Sequence, residues 1–275
     1  MINLLFAGNN KVFDGILISL LSTIKHTKEK INTYCLTMDL RDINSKFVPI
    51  SNAQAIFLEQ ILKEGNPESK FELIDLTEMF KDEMLDSVNM GNHFTPYAML
   101  RLFADKLPQI PDKIIYLDTD TIINNDLSEL YNIDIDNFEL ACVKDIYNWA
   151  SPSRWRIKDY FNSGVLLLNM KKIRETGMFE HARKLCHDKK MLYPDQDVLN
   201  KTVKYKKILP EKFNSKDKYY PEIVVHHFCN VRKNNNFFYR IKPWETDLVK
   251  TKMNAYNDIL DKFEERKKNF QQNTF

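Results

Sequence analysis

Glycine is scarce in this chain of 275 residues, and its scarcity narrows the ways in which the protein can bind phosphate. Only six glycines are present, and none forms GxGxxG or GxxxxGK[ST], the loops that cradle phosphates with backbone N–H groups. A nucleotide bound by this chain therefore needs a cation and side chains to neutralise its phosphates.

The chain also has few cysteines, a small net charge and no long apolar run. The four cysteines are scattered without a CxxC pair, which is typical of reduced thiols rather than of disulfides or a zinc site. Forty basic against thirty-eight acidic residues leave a net charge of +2, so no global field favours nucleic acid. No apolar run reaches the roughly 18 residues that span a bilayer, and the first ten residues are typical of a strand rather than a signal peptide. We expect a cytoplasmic protein without a transmembrane segment or a nucleic-acid partner.

Strand and helix patterns alternate along most of the chain. Apolar runs typical of strands occupy 2–7, 31–38, 71–76, 114–117, 140–144, 165–169 and 223–228, and helical patterns occupy 13–24, 52–63 and 97–106. This alternation predicts an α/β fold in which a mostly parallel sheet is covered by helices on both faces. We expect one domain over residues 1–244 and a small helical extension over residues 245–275.

The stretch KIIYLDTDT at 113–121 is the most informative part of the sequence. Four strand-forming residues, IIYL, lead directly into Asp118 and Asp120. Residues two apart on an extended chain point to the same side, and open α/β sheets bind ligands at the carboxyl ends of their strands. Two neighbouring carboxylates repel each other unless a proton or a metal lies between them, which indicates a divalent cation. A strand followed by an Asp-rich turn is the equally common alternative.

Three further polar clusters lie at the ends of apolar runs. The small residues of FNSG at 161–164 precede VLLLNM, where a ligand can approach the backbone closely. DQD at 195–197 opens a helical pattern, and Asp195 suits either a ligand site or a helix N-cap. Because adjacent residues on a strand point to opposite faces, at most one of His226 and His227 joins a site. For an isolated histidine, burial in the core is the commoner arrangement.

Taken in order, these clusters resemble the pattern of glycosyltransferase family 8, which includes bacterial lipopolysaccharide galactosyl- and glucosyltransferases and the glycogenins. The matching pieces are FAGNN, YAMLRLF, YLDTD, FNSGVLLLNMKKIR, DQDVLN, HHF and KPW, and they lie within residues 2–244. FNSGVLLLNMKKIR and DQDVLN after YLDTD are far more specific than a DxD pair alone. The resemblance implies a fold of the GT-A type, an α/β domain with a single Rossmann-like, mostly parallel sheet flanked by helices.

The resemblance also implies which residues form a donor site. Asp118 and Asp120 are its DxD carboxylates, and His227, the histidine before an aromatic residue, is the third ligand of a Mn²⁺ or Mg²⁺ ion. His226 then points into the core. Two carboxylates and an imidazole suit Mn²⁺, which accepts both oxygen and nitrogen ligands. The donor-binding residues that the match implies are Ala7, Asn9, Asn10, Arg101, Asp118, Thr119, Asp120, Asn162, Ser163, Asp195, Gln196, Asn230 and Lys242.

The activity that the resemblance implies is transfer of a hexose, with retention of anomeric configuration, from UDP-glucose or UDP-galactose to a carbohydrate acceptor. A bound cation, with Lys242 and Arg101, stabilises the charge that develops on the departing diphosphate. Asp195 and Gln196 lie beside the transferred sugar as the catalytic candidates. Because Gln196 is a poor nucleophile and Asp195 is better suited to hold sugar hydroxyls, same-face substitution is favoured over a covalent intermediate.

The chain departs from the family pattern in its first loop and near its third metal ligand. An acidic residue normally accepts the uracil imide hydrogen, whereas the aligned stretch here is GNNK, in which an Asn9 carbonyl is the weaker acceptor. Asn230 stands where a glycine is expected. The connection from His227 to Lys242 is longer than in relatives, which makes Lys242 the least secure of the donor contacts.

Two other functions fit part of the sequence. Strand-DxDxT also opens the haloacid-dehalogenase phosphatases, in which the first aspartate, here Asp118, is the nucleophile. Those enzymes usually carry the motif near the amino terminus, and FNSG, DQD and HHF would have no role in them. A non-catalytic nucleotide-sugar-binding protein is the second alternative, although the set of metal ligands is intact.

The segment 145–160 is a candidate for binding the acceptor, and the carboxyl terminus is a candidate for contact with a membrane. Tyr147, Trp149, Trp155 and Tyr160 offer aromatic faces to a sugar ring, so this segment is either a lid over a carbohydrate acceptor, a cell-envelope glycan, or a loop with its aromatics in the core. Basic residues near the end of the chain allow peripheral contact with the inner face of a membrane, but interspersed glutamates make that charge mixed.

Overall fold

The computed structural model describes residues 1–92, 95–146, 152–216, 219–229, 231–233, 237–239 and 241–273. The strands are β1 (Ile2–Ala7), β2 (Ile31–Thr37), β3 (Lys70–Asp75), β4 (Lys113–Leu117), β5 (Thr121–Ile123), β6 (Leu140–Lys144), β7 (Phe161–Asn169), β8 (Lys206–Leu209), β9 (Val225–His227), β10 (Val231–Lys233) and β11 (Phe237–Tyr239). The helices are α1 (Phe13–His26), α2 (Asn52–Gly65), α3 (Thr77–Met84), α4 (Ser128–Tyr131), α5 (Pro152–Arg156), α6 (Met170–Thr176), α7 (Met178–Asp188), α8 (Pro194–Thr202), α9 (Thr246–Lys252) and α10 (Asn257–Asn273). Tighter 3₁₀ turns cover Asn10–Val12, Pro96–Lys106, Glu211–Phe213 and Asn254–Tyr256.

The central sheet has seven strands in the order β3-β2-β1-β4-β7-β6-β8. Strands β3, β2, β1 and β4 pair in parallel, as do β6 and β8, whereas β7 lies antiparallel between β4 and β6. The prediction of a mostly parallel sheet is therefore confirmed. Because β7 runs the other way, its amino-terminal residues lie beside the carboxyl end of β4, with Val165 paired to Leu117.

Alternation along the strands divides the apolar core into two layers. On β4, Ile115 and Leu117 belong to the layer that contains α1 and α2. Ile114 and Tyr116 belong to the opposite layer, which contains the 3₁₀ segment Pro96–Lys106 and α7. Both layers bury their apolar residues almost completely, as expected for a sheet with helices on each face. Helix α2 begins with a capping box, in which the Ser51 side chain accepts from the Gln54 N–H and the Gln54 side chain accepts from the Ser51 N–H.

Several elements differ from the sequence pattern. Strand β7 begins at Phe161 rather than at Val165, so FNSG is part of the strand. The pattern at 223–228 shortens to β9, which pairs antiparallel with the three-residue β5. The helix predicted at 97–106 is present, with 3₁₀ turns from Pro96 to Lys106. All four cysteines are free thiols, which agrees with the prediction of no disulfide.

The segment after Trp244 packs against the first helix. Ile259, Leu260 and Phe263 of α10 are buried in the same apolar layer as α1, and the Phe270 ring lies 5.0 Å from that of Phe13. Within the described ranges, no helix is both long enough and apolar enough to cross a bilayer.

Candidate active site

The first part of the site forms where β4 ends beside the beginning of β7. The Asp118 N–H donates to the Gly164 carbonyl over 2.7 Å, which fixes the first carboxylate against the FNSG segment. Asp118 Oδ1 accepts from Arg101 Nη2 at 2.9 Å and from the Tyr116 hydroxyl at 2.8 Å. The Arg101 guanidinium, which is almost completely buried, also donates to the Ser163 carbonyl at 2.6 Å and lies 3.8 Å from the Tyr116 ring centroid.

Pairing of β5 with β9 brings the predicted third ligand to the two aspartates. Thr121 is the register partner of His227, and the Phe228 N–H donates to the Asp120 carbonyl over 2.8 Å. His227 Nε2 consequently lies 3.2 Å from Asp120 Oδ1 and 3.7 Å from Asp118 Oδ2. One ligand atom from each of the three residues falls within 4.8 Å of the others. This spacing and the mixture of two carboxylates with one imidazole fit a divalent cation such as Mn²⁺ or Mg²⁺.

The other histidine of the pair takes the structural role that the sequence favours for it. His226 is buried, its Nδ1 lies 2.7 Å from the Tyr256 hydroxyl, and its ring stacks on Phe228. The predicted separation of the two neighbours onto opposite faces of the strand is confirmed.

Position 164 requires glycine because the His227 ring and the Asp118 carboxylate lie directly against its Cα. A Cβ atom there would lie 2.1 Å from His227 Cε1 and 2.6 Å from Asp118 Oδ2, both far inside contact distance. The imidazole ring therefore packs directly on the backbone of β7. Gly15 has a similar role on α1, since a Cβ there would lie 2.2 Å from the Thr119 carbonyl oxygen. The turn that carries the two aspartates thus rests on the beginning of α1.

Positive charge surrounds the two aspartates. The Lys242 ammonium forms a short hydrogen bond with Asp120 Oδ2 and donates to the Phe228 carbonyl at 3.1 Å. Burial by itself would raise the pKa of Asp120, but the charges of His227 and Lys242 and their hydrogen bonds lower it. Asp120 in turn raises the pKa of Lys242 against the effect of burial. Lys242, the least secure of the predicted donor contacts, therefore lies against Asp120.

Helix α8 contributes the residues predicted to lie beside the sugar. Asp195 Oδ2 accepts from the Ser163 hydroxyl at 3.2 Å and lies 3.2 Å from Arg101 Nη2. Burial raises the pKa of Asp195, although Arg101 opposes this effect. The alternative in which Asp195 is a helix N-cap is wrong, because Tyr193 occupies that position and its N–H donates to Asp197 Oδ2 at 3.2 Å.

Gln196 is held by hydrogen bonds at both ends of its amide. Its Oε1 accepts from Asn162 Nδ2 at 2.9 Å and from the Ser163 N–H at 3.1 Å, so both of its lone pairs are used. Its Nε2 donates to the Tyr160 hydroxyl at 3.1 Å and to Asp145 Oδ2 at 3.3 Å. This arrangement fixes the amide and leaves its oxygen poorly suited to attack a sugar carbon.

The loop after β1 lies at the same edge of the sheet, because β1 is the parallel neighbour of β4. Ala7 ends β1, and the Asn9 side chain caps the following turn by accepting from the Lys11 N–H at 3.2 Å. Asn9 Oδ1 already has a donor, whereas Asn10 Oδ1 is buried and has no hydrogen-bond partner among the described residues. The predicted imide acceptor at Asn9 would therefore share its oxygen with a backbone N–H group.

The sequence reasoning missed several side chains that support the site. Asn214 contacts His227, and Lys216 forms a buried ion pair with Asp145 at 2.8 Å, directly behind Gln196. No local pattern marks Asn214 or Lys216, which follow a short 3₁₀ turn. Tyr116 could have been found, because it lies two residues before Asp118 and residues two apart on an extended chain face the same side.

Five predicted residues do not form part of the site as the structure describes it. Asn230, Tyr147 and Trp149 fall outside the described residues. Tyr160 is buried and donates to Asp197 Oδ1 at 2.7 Å, so this member of the predicted aromatic platform belongs to the core. Trp155 on α5 is 64% exposed.

Known proteins resemble this chain over most of its length. The family described as Glycosyl transferase family 8 matches residues 3–255. A protein of Haemophilus influenzae described as a glycosyltransferase is 31% identical over 221 residues, which are 77% of this chain and 62% of that protein. The lipopolysaccharide 1,2-glucosyltransferase of Escherichia coli K12 is 34% identical over 125 residues, which are 42% of this chain and 37% of that enzyme. The chain thus spans less than two thirds of the length of either relative.

Solved structures agree with this match. The apo structure of the bifunctional glycosyltransferase WbbM superposes with a TM-score of 0.71 at 19% identity over 96% of this chain and 51% of that one. The galactosyltransferase LgtC, solved with donor and acceptor sugar analogues, gives 0.68 at 20% identity over 96% of this chain and 95% of that one. At these identities the likeness shows the fold, which is of the GT-A type. Because the family match covers nearly the whole sequence and the fold agrees with it, the chain belongs to glycosyl transferase family 8.

Proposed function

We propose that this protein transfers glucose or galactose from a UDP-sugar to a carbohydrate acceptor and that the reaction retains the anomeric configuration. The observation that carries the proposal is the convergence of Asp118, Asp120 and His227 within 4.8 Å at the edge of the sheet, beside Lys242 and Arg101. The relatives named as a glucosyltransferase and a galactosyltransferase support a hexose donor. A cell-envelope glycan is the proposed acceptor.

Asp118, Asp120 and His227 hold the divalent cation in this proposal, and the cation stabilises negative charge on the leaving diphosphate when it is bound. Lys242 forms an ion pair with Asp120, so its ammonium adds positive charge beside the proposed cation. Arg101 is committed to Asp118, Asp195 and the Ser163 carbonyl. We therefore assign to Arg101 the task of holding the two carboxylates in their positions.

The environment of Gln196 supports same-face substitution. Its amide oxygen accepts two hydrogen bonds, and Asp195 is held by Ser163 and Arg101, which suits binding of sugar hydroxyls. In this reaction the bond between the anomeric carbon and the phosphate oxygen breaks, and the acceptor oxygen bonds to that carbon from the same face. The acceptor proton passes to the departing phosphate oxygen. UDP and the glycoside are the products.

A panel of nucleotide sugars tests the donor. Calorimetry with Mn²⁺ should show binding of UDP-glucose or UDP-galactose and much weaker binding of ADP- and GDP-sugars, and proton NMR of the product should show retained configuration. Because a carboxylate is a stronger acceptor than an amide, Asn9→Asp should bind the UDP-sugar more tightly. Tighter binding of ADP- or GDP-sugars, or an inverted product, would contradict the proposal.

Two activity assays, hydrolysis of p-nitrophenyl phosphate and release of UDP from the UDP-sugar, separate the alternatives. A phosphatase that uses Asp118 as its nucleophile would hydrolyse p-nitrophenyl phosphate, and a non-catalytic binding protein would bind the UDP-sugar without releasing UDP. We favour neither, because the family match and the GT-A fold both agree with a glycosyltransferase.

A further inference from the structure

The side chain of Asn214, which is not a metal ligand, contacts the His227 nitrogen that faces away from the two aspartates. His227 Nδ1 lies 3.0 Å from Asn214 Oδ1, on the opposite edge of the ring from Nε2. An imidazole binds a metal only through a nitrogen that carries no hydrogen, and the partner of the other nitrogen decides which one that is. The orientation of the Asn214 amide therefore bears directly on the metal centre described above.

Backbone groups of β7 establish that orientation. The Gly164 N–H can only donate, and it lies 3.0 Å from the Asn162 side-chain atom that also faces Asn214, so that atom must be the oxygen of Asn162. The Asn214 group 2.9 Å from this oxygen must then be its NH₂ group. The oxygen of Asn214 consequently faces His227, and Nδ1 carries the hydrogen.

A second backbone group gives the same answer. The Ser163 N–H donates to one end of the Gln196 amide, which must be its oxygen, and the NH₂ group of Asn162 donates to that oxygen at 2.9 Å. Two backbone donors in FNSG thus fix three amides in sequence, from Gln196 through Asn162 to Asn214. The last of them reaches His227.

Hydrogen bonds of the neighbouring main chain hold Asn214 in place. It is buried, and the next residue, Ser215, accepts from the His227 N–H at 2.8 Å and donates its own N–H to the Val225 carbonyl at 3.0 Å. The main chain beside Asn214 is therefore paired with β9. A hydrogen bond in such a buried place is strong, and its loss leaves polar atoms without partners.

We infer that Asn214 is a positioning residue of the metal centre, which keeps the hydrogen of His227 on Nδ1 and so presents Nε2 to the cation. The inference rests on the proposed role of His227 as a ligand. Loss of such a partner typically weakens metal binding by about 10- to 100-fold. The same amide chain joins Gln196, beside the proposed sugar pocket, to the metal ligand.

Calorimetric titration of Mn²⁺ without donor, on Asn214→Ala, Asn214→Asp and the control Asn125→Ala, tests the inference. Asn125 donates to the Pro221 and Ile223 carbonyls just before β9 and so supports the same segment without touching His227. We expect Asn214→Ala to lose about 10- to 100-fold in Mn²⁺ affinity. Asn214→Asp keeps an acceptor for Nδ1–H but turns its second oxygen towards the Asn162 oxygen, so its Mn²⁺ affinity should fall between those of Asn214→Ala and the wild type. Asn125→Ala should bind normally.

Long-range proton–nitrogen NMR of the imidazoles adds a readout that needs no metal. The wild type should carry hydrogen on His227 Nδ1, and Asn214→Ala should lose that preference. Unchanged Mn²⁺ affinity in Asn214→Ala, or a wild-type His227 ring with hydrogen on Nε2 alone, would overturn the inference. A wild type that bound no Mn²⁺ would instead overturn the proposed metal centre, while the NMR result would still decide the role of Asn214.

Discussion

Arg101 Nη2 lies 2.9 Å from Asp118 Oδ1 and 3.2 Å from Asp195 Oδ2, so that one buried guanidinium joins the carboxylate at the end of β4 to the carboxylate on α8. The strand and the helix come from distant parts of the sequence. The Arg101 guanidinium, which also binds the Ser163 carbonyl, therefore links the two elements at the site together with the hydrogen bonds between α8 and β7.

Replacement of Arg101 should affect both stability and donor binding. Arg101→Met leaves two carboxylates facing each other without their cation, and we expect a loss of about 3 kcal/mol in the free energy of unfolding. Arg101→Lys keeps the charge but not the planar fork, so it should be more stable than Arg101→Met while binding donor weakly. Denaturant titration and calorimetry measure the two effects. A methionine variant with wild-type stability would contradict this role.

Gly164→Ala should damage the metal site with little effect on the rest of the fold. The added methyl group must displace the His227 ring or the Asp118 carboxylate, and we expect Mn²⁺ affinity to fall by at least about tenfold. Gly91→Ala is the matched control, since a Cβ there meets no described residue within 4 Å. Equal Mn²⁺ affinities in the two variants would show that the close contact has no bearing on metal binding.

Gln196→Ala separates a positioning role from nucleophilic catalysis. If Gln196 only orients the pocket, transfer should slow by about 10²-fold and still retain configuration, and azide should not restore the rate. Loss of a covalent nucleophile typically costs about 10⁶-fold. Activity at background level, restored by azide as a glycosyl azide, would show that a nucleophile had been removed.

Trp155→Ala tests the proposed lid over the acceptor. Trp155 is 64% exposed on α5, so its removal should leave the fold intact. We expect the acceptor KM to rise about tenfold, which corresponds to about 1.4 kcal/mol, while hydrolysis of the donor without acceptor is unchanged. Tyr205→Ala, at a second exposed aromatic residue, is the control. An equal fall in hydrolysis and transfer would assign Trp155 to the donor site instead.

The strands and helices of the first half of the chain were predictable because each has a clear period. β1, α1, β2 and α2 lie within about two residues of their sequence patterns. The antiparallel direction of β7 was not predictable, because an apolar run predicts a strand but not its direction within the sheet. Strand β5 has three residues, too few for any period.

The site was predictable where residues lie two apart or follow a strand, as for Asp118 and Asp120. Its supporting side chains were not, because Asn214 and Lys216 come to the site through pairing of their segment with β9, a long-range contact that leaves no local pattern. The function of Asp195 was ambiguous for a related reason. An acidic residue at the beginning of a helix suits a cap, and only the structure shows that its carboxylate faces Arg101 and Ser163.

Release of UDP by wild type and Asp120→Ala, with Mn²⁺ and after chelation, tests the central claim most directly. The claim is that Asp118, Asp120 and His227 hold a cation on which transfer from a UDP-hexose depends. The wild type should release UDP from UDP-glucose or UDP-galactose with Mn²⁺ and stop when the metal is chelated, and Asp120→Ala should remain folded by circular dichroism yet be inactive in both conditions. Wild-type turnover by Asp120→Ala in the presence of the chelator would contradict the account.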